Sequence, residues 1–494
     1  MALSMPSMLS KSRFLAGRQC HLRLWYQCYQ PHLARETSPG QQALFDTGRE
    51  VGRLATGLYP SGIRIEADYR HHEQAVQSTI AAMQDAGVGA IYEAAFVHSD
   101  VRVWVDILER FRGASWNLVE VKSATSVKDV HIDDVAVQNF VLAGCGIDIN
   151  RTGILHINNQ YVFDGKHLDL GSLFIFSDLT PQVAARQPEI ATNVKALRDI
   201  ITGKAAPEIT PSRHCLKPYL CEFWDHCRQK MPDYWVLNLS GIEQDKLDEL
   251  LSLGVQDIRD IPDSFPLNRI QGRIRTSVIN KEEYVSGQLE IELKDIAYPL
   301  HFLDFETVSP AIPLYAGTRP FQALPFQWSN HMLLENGQLT HNEYLCTEDK
   351  DPRREFASSL LECLGTEGTI LIYTTYEKTV IRQLAEYLPD YRTPLEAMLS
   401  RFKDLCAFIR QFYYHPEFYG SFSLKNVLPA LLPEMSYQTL SIRDGNQASL
   451  EYLKMINAST PLAEKSKIRK NLLAYCGHDT LAMVRIREEL LRRF

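Results

Sequence analysis

Two acids spaced two apart stand in an apolar stretch, His301-Phe302-Leu303-Asp304-Phe305-Glu306-Thr307. Side chains at i and i+2 of a β-strand point to one side, so the pattern predicts a strand from which Asp304 and Glu306 project together. Two carboxylates held side by side repel unless a cation lies between them. Oxygen ligands of this kind suit Mg²⁺ or Mn²⁺. A surface strand with two solvated acids would carry the same letters, but the flanking Leu303 and Phe305 fit a solvated strand poorly.

A second constellation lies upstream. The stretch IYEAAFVHSDVRVWVDILERF, from Ile91, has a period of two and predicts a hairpin of strands, with Asp106 ending one of them; WNLVEVKSAT predicts the next. There Glu120 and Lys122 share one face, and Val119 and Val121 the other. An acid followed by E-x-K on the adjoining strand makes a metal site with a cation beside it. That cation can position water or stabilise charge building on a phosphoryl group. A buried lysine beside two acids can equally be a plain ion pair.

The third is thiol chemistry. HCLKPYLCEFWDHC spaces Cys215, Cys221 and Cys227 evenly by six. Such a run in a reduced protein points to metal binding, and three thiolates leave a four-coordinate site one ligand short. Cys20 can supply the fourth, and His214 and His226 are alternative ligands for zinc.

Several elements must position these groups. Leu9 to Tyr29 predicts a helix carrying Phe14, Leu15, Leu22 and Leu24, with Cys20 inside it. Gly48 to Tyr59 predicts a second. After Trp235, two short helices around Leu253-Gly254-Val255 resemble a helix–hairpin–helix, whose glycine turn can meet a phosphate. Arg269, Arg273 and Arg275 follow close together, and a solvated helical spacer explains them as well. Pro299 to Thr307 opens a new domain. Two strands with a turn at Asn336-Gly337 come next, then a helix over Arg353 to Leu364. Thr369 to Tyr373 is a short apolar strand, and Glu377 sits where it hands over to a helix, a position where open α/β sheets gather ligands. Asp404 is a rival acid, but it heads a predicted helix, where an N-cap aspartate is common. Ser423 and Lys425 enter another helix. Asn471 to Arg492 is helical, with Tyr475 and Asp479 stacked on one face at i and i+4.

The length of 494 residues suggests about three domains. A net charge of −8 argues against a wholesale polyanion-coating protein, though not against a local basic groove beside carboxylates. The N-terminus has no apolar core of signal-peptide length, and no apolar run reaches the roughly 18 residues of a membrane span. Ten cysteines without a secretion signal fit a reducing cytoplasm.

The acid and E-x-K pattern resembles the RecB-like branch of the PD-(D/E)XK nucleases. By that resemblance Asp106 and Glu120 bind metal, Lys122 is the catalytic lysine and Gln138 is the glutamine of the following helix, with Asp134 or Asn139 as neighbours. Leu142 stands where that helix usually carries a tyrosine. The histidine of an early helix is missing after Gly48, leaving Glu93 as a weaker candidate ligand. Cys20, Cys215, Cys221 and Cys227 resemble the ligands of a [4Fe–4S] cluster that clasps the two ends of such domains, with zinc as the alternative. The D-x-E strand, the later acid and Y-x3-D resemble the DEDD exonucleases of the RNase H-like fold. Carried over, Asp304, Glu306, Glu377 and Asp479 bind Mg²⁺ or Mn²⁺, and Tyr475 orients the attacking water. The whole resembles a bacterial fused family of unknown function. The expectation is an α/β protein in three parts: a PD-(D/E)XK restriction-endonuclease-like domain over 1–235, a helical connector over 236–290 and an RNase H-like domain over 291–494. The implied activity is divalent-metal-dependent, exonucleolytic hydrolysis of DNA at two candidate sites, in repair, recombination or phage defence, with a nuclease preferring RNA as an alternative. A nucleic-acid-binding or assembly protein with degenerate sites is the rival.

Overall fold

The computed structural model describes residues 8–66, 71–203 and 205–494. It is a mixed α/β structure of two compact units, Met1–Lys230 with Pro310–Phe321, and Met231–Ser309 with Gln322–Phe494.

In the first unit, β1 (Leu9–Ser10) leads into α1 (Lys11–Gln19), α2 (His21–Tyr29), α3 (Pro39–Ala55), β2 (Gly62–Arg64) and α4 (His72–Gln84). Then come β3 (Ala90–His98), β4 (Val101–Arg112), β5 (Ser115–Lys122), α5 (Asp129–Gly144) and β6 (Asp148–Ile157). The last elements are α6 (Leu170–Leu173), β7 (Phe174–Asp178), α7 (Thr180–Thr202) and α8 (Trp224–Arg228). The strands form one sheet in the order β2-β3-β4-β5-β6-β7, with β1 beside β4. The pairs β2–β3, β5–β6 and β1–β4 are parallel and the rest antiparallel. A core containing Phe14, Val105, Leu118, Val137 and Leu197 covers one face, and another containing Val51, Ile107, Val119 and Leu155 covers the other. Val103, Val105 and Leu108 all enter the first core, so the alternation of β4 slips by one residue around Asp106. Opposite that slip, Glu93 holds a left-handed φ of 56° within β3, an uncommon backbone state for a non-glycine residue.

The second unit runs α9 (Gln244–Ser252), α10 (Arg269–Asn280), β8 (Tyr284–Val285), α11 (Gly287–Lys294), β9 (Leu300–Val308), β10 (Leu324–Leu333) and β11 (Leu339–Leu345). It continues with α12 (Arg353–Leu364), β12 (Thr369–Ile372), α13 (Tyr376–Tyr387), α14 (Arg392–Met398), β13 (Phe402–Asp404) and α15 (Leu405–Phe412). β14 (Tyr413–Tyr414), α16 (Leu424–Leu431), α17 (Gly445–Ile456) and α18 (Leu462–Leu491) complete it. The main sheet has the order β11-β10-β9-β12-β13. Its first three strands are antiparallel, and β9, β12 and β13 are parallel. Central β9 is covered on both sides. Leu303 and Phe305 pack with Phe356, Ile370 and Ile381. The alternate residues Asp304 and Glu306 face the side of α17 and α18. α18 buries Ile468, Leu472, Tyr475, Cys476, Asp479, Met483 and Leu490, a three-to-four-residue spacing that gives it one face against the sheet.

The first helix expected from sequence is two helices, because Cys20 adopts an extended conformation between them (φ −162°, ψ 122°). The second begins at Pro39 rather than Gly48, capped by Ser38. Asp106 lies inside β4, not at its end. The segment 236–290 lies within the second unit, and the expected second short helix after Gly254 is a single 3₁₀ turn over Ile258–Asp260. Two of the three arginines after it serve internal packing: Arg273 donates to the carbonyls of Gln411 (2.6 Å) and Arg410, and Arg275 donates to that of Ile261 (2.9 Å) and pairs with Asp263 (2.7 Å), while Arg269 is exposed. α18 starts at Leu462, ahead of the expected Asn471, because Ile468 already belongs to its buried face. Among the described residues no helix is long and apolar enough to cross a membrane. None of the ten cysteines is joined in a disulfide.

Candidate metal centre and associated side-chain clusters

Strand geometry and helix periodicity meet at the acids of the second unit. β9 projects Asp304 and Glu306 from one face, and α18 turns Asp479 toward them. Among the described residues, the group of three or more ligand-type side chains whose ligand atoms all lie within 4.8 Å is Asp304, Glu306 and Asp479. Burial and the neighbouring carboxylates raise Asp304 well above its usual range and Glu306 to about 8, and burial raises Asp479 to about 6. Such a group of buried like charges could hold a cation between its oxygens. Glu377, in the first turn of α13, is buried and raised to about 7 by burial, with its Oε2 lacking a hydrogen-bond partner. It lies outside the tight trio but adds to the repulsion on Asp304 and Glu306. The rival Asp404 caps α15, accepting the Ala407 N–H at 2.9 Å, as its place at a helix start predicts.

Hydroxyls hold the trio's helix-borne acid. Tyr475 and Tyr437 both hydrogen-bond Asp479, and both bonds favour its charged form. The Cys476 thiol donates to Asp304 Oδ2 at 3.5 Å. Lys425, exposed at the start of α16, contributes positive charge that favours ionised Glu306 and Asp479. Tyr376, next to Glu377, shares a 2.5 Å hydrogen bond with Thr307. Gly445 opens α17 so close to the site that an added Cβ would lie 3.6 Å from Glu306 Oε2.

In the first unit the structure brings together Asp106, Glu120, Lys122 and Gln138, and joins to them Asp134 and Lys11. Lys122 Nζ lies 2.7 Å from Glu120 Oε1 and 2.5 Å from Asp134 Oδ2. Gln138 Nε2 donates to Glu120 Oε2 at 2.8 Å, and Asp106 Oδ2 accepts the Val121 N–H at 2.8 Å. Burial raises Glu120 to about 7 with the help of Asp106 and Asp134. Asp134 is driven the other way: Lys11 and Lys122 outweigh its burial. Glu93, the weaker candidate, is close enough for its charge to act on Asp106, and its carboxylate is 3.4 Å from Arg64.

The four cysteines also gather. Cys215 and Cys221 are buried in a cluster with Trp25, Tyr26 and Phe223, and Cys227 packs against it. Burial raises the Cys215 thiol to about 11, with Cys20 and Cys227 adding to the rise, and the Cys221 thiol to about 12, with Glu222 and Cys215 adding to it. The segment is tied to the N-terminal helices. Gln19 donates to the carbonyls of His214 and Tyr219, both at 2.7 Å, while Arg23 and Gln27 grip Glu222 at 2.8 and 2.6 Å. Cys20, at the break after α1, is close enough for its charge to act on Cys215 and Cys227.

Sequence reasoning missed Lys11, Tyr437 and Cys476. Cys476 carried a signal, one helical turn before Asp479. Lys11 and Tyr437 carried none, since each reaches its site from a remote segment. A family model described as Domain of unknown function (DUF2779) matches residues 301–423. The match contains Asp304, Glu306, Glu377 and Asp404 and stops before α18. No curated protein matches the chain.

Proposed function

We propose that this protein is a divalent-metal-dependent nuclease whose principal hydrolytic centre is the Asp304–Glu306–Asp479 group. The observation that carries the reading is the convergence of three carboxylates within 4.8 Å from β9 and α18. The strand order, three antiparallel strands followed by two parallel ones with the D-x-E strand in the middle, supports an RNase H-like assignment of the second unit. The D-x-E strand, Glu377 after a second strand and Tyr475 with Asp479 on a late helix support its DEDD type. Asp304, Glu306 and Asp479 would hold Mg²⁺ or Mn²⁺, with Glu377 completing the acidic wall. When bound, such an ion activates water and neutralises charge on the scissile phosphate. Tyr475 would hold the water in line through its hydroxyl, which Asp479 fixes, and Lys425 would meet the substrate's phosphate.

Asp106, Glu120, Lys122 and Gln138 on β4, β5 and α5 support a PD-(D/E)XK-like assignment of the first unit. Cys20, Cys215, Cys221 and Cys227 would hold a [4Fe–4S] cluster that fastens its N-terminal helices to its C-terminal loop. Colourless protein carrying stoichiometric zinc would replace that cluster with a zinc site.

DNA is the proposed polymer. End-labelled single- and double-stranded DNA and RNA, digested with Mg²⁺ or Mn²⁺, test the assignment against RNA. Asp304→Ala and Lys122→Ala should each remove a separable activity. Undiminished digestion by the double variant would overturn the proposal.

A further inference from the structure

The two acidic centres answer the same electrostatic problem differently. In the second unit the trio crowds carboxylates together. In the first, Asp106, Glu120 and Asp134 are matched by side chains from their own chain. Lys11 Nζ lies 2.8 Å from Glu120 Oε1 and 3.2 Å from Asp134 Oδ1. Lys122 reaches the same Glu120 oxygen and the other oxygen of Asp134. Gln138 takes Glu120 Oε2, and the Val121 N–H takes Asp106 Oδ2. Five of the six carboxylate oxygens therefore already have a donor, and two ammoniums face three carboxylates.

Lys11 is held in place for this. It is the first residue of α1, directly after β1, whose Leu9 and Ser10 pair with Val101 and Arg102 of β4. Leu9 is fully buried and donates its N–H to the Asp100 carbonyl at 2.9 Å. Ser10 caps the helix by accepting the Arg13 N–H at 3.2 Å. The Lys11 side chain is 21% exposed and its ammonium is paired with carboxylates that are almost fully buried. Such a pair is costly to break by removing one partner, because the other charge stays buried.

We propose that Lys11 is the resident cation of the first centre, competing with divalent metal for Glu120. Mg²⁺ or Mn²⁺ then enters only when Lys11 withdraws, and the first centre is far weaker than the second in metal affinity. The inference rests on the reading of Glu120 as the centre's would-be ligand, and its test is binding, with no use of nuclease activity. A protein that cuts nothing could pass it, and an active nuclease could fail it.

The experiment uses the full chain with Asp304→Ala and Asp479→Asn, to remove the second centre. Bound Mn²⁺ is read by electron paramagnetic resonance. Lys11→Met should tighten Mn²⁺ binding at least tenfold, Glu120→Gln added to it should abolish the gain, and Lys11→Arg should bind as weakly as Lys11. Equal or weaker binding by Lys11→Met overturns the proposal. Should Lys11→Met fail to fold by circular dichroism, the Lys11-intact protein decides alone. A micromolar Mn²⁺ site there that Glu120→Gln removes overturns the proposal, and no such site upholds it.

Discussion

Neutralising one acid of the second-unit centre should stabilise the metal-free protein, and the gain should grow with pH. Glu306 has its carboxyl raised from 4.5 to about 8 by burial, and Asp479 is the largest contributor after it. A folded-state value above the unfolded one means that the folded protein holds the proton more tightly. Stability is therefore full below about pH 4.5 and falls as pH rises toward 8. At ~1.4 kcal/mol per unit, ionising Glu306 in the fold costs on the order of 5 kcal/mol. The ligand atoms of Glu306 and Asp479 lie within 4.8 Å, a distance at which two unit charges repel by about 3.5 kcal/mol at an effective permittivity of 20. Asp479→Asn keeps an acceptor for the Tyr437 and Tyr475 hydroxyls and removes that repulsion. At pH 8.5 in EDTA it should gain about 3 kcal/mol, or roughly 6–12 °C in the melting temperature of a unit this size. At pH 5 the gain should be small. Mn²⁺ at a hundred times its Kd should add about 2.7 kcal/mol to the native protein and almost nothing to the variant. Scanning calorimetry at both pH values, with EDTA or Mn²⁺, reads all four numbers. Metal-free stability that is flat or rising between pH 5 and 8.5, or a variant less stable than the native protein at pH 8.5, would refute the reasoning.

Leu303→Ala should cost the second unit about 2–5 kcal/mol by the cavity it leaves, since Leu303 is fully buried beneath the acidic face. A denaturant midpoint shifted by less than 1 kcal/mol equivalent would show that β9 is not the central strand described. On the proposed [4Fe–4S] assignment, Cys20→Ser should lower the iron bound per chain and loosen the α1–α2 region, read as faster amide exchange in Leu22 to Tyr29. Unchanged iron and exchange would detach Cys20 from the cysteine cluster.

What the sequence made legible was set by the range of the signal. The D-x-E strand, the Asn336-Gly337 turn, the helix Arg353–Leu364 and the i, i+4 pair of α18 are local, and periodicity carries local information. The preference for Glu377 over Asp404 came from a local rule too, and Asp404 does cap α15. Failures came where distant pieces decide. The break at Cys20 places one thiol near three others about 200 residues on, which no helix periodicity expresses. Asp106 looked like a strand end because the alternation slips there, opposite the left-handed Glu93. Arg269, Arg273 and Arg275 fitted either a phosphate contact or a helical spacer, and the structure gives Arg273 and Arg275 internal partners. Their partners are carbonyls of the same unit, and a pattern of charges does not say whether solvent or backbone will meet them.

Tyr437 tests whether the second centre is built from more than its acids. Its hydroxyl donates to Asp479 Oδ1, its ring stands edge-on to His478 at 4.8 Å, and Lys425 Nζ lies 5.8 Å from the ring centroid. A hydrogen bond to a charged acceptor is worth about 1.5–3 kcal/mol, and this one favours the ionised form of Asp479, which burial otherwise lifts to about 6. Tyr437→Phe should therefore raise Asp479 further, so that near pH 7 more of it is protonated and unable to hold a cation. Mn²⁺ affinity at pH 7 should fall about two- to tenfold, and raising the pH to 8.5 should recover a large part of the loss, because deprotonation restores the ligand. A role in packing alone would cost the same affinity at both pH values. Calorimetric Mn²⁺ titrations of Tyr437→Phe and the native protein at pH 7 and 8.5 separate the two, and a loss independent of pH would sink the assignment.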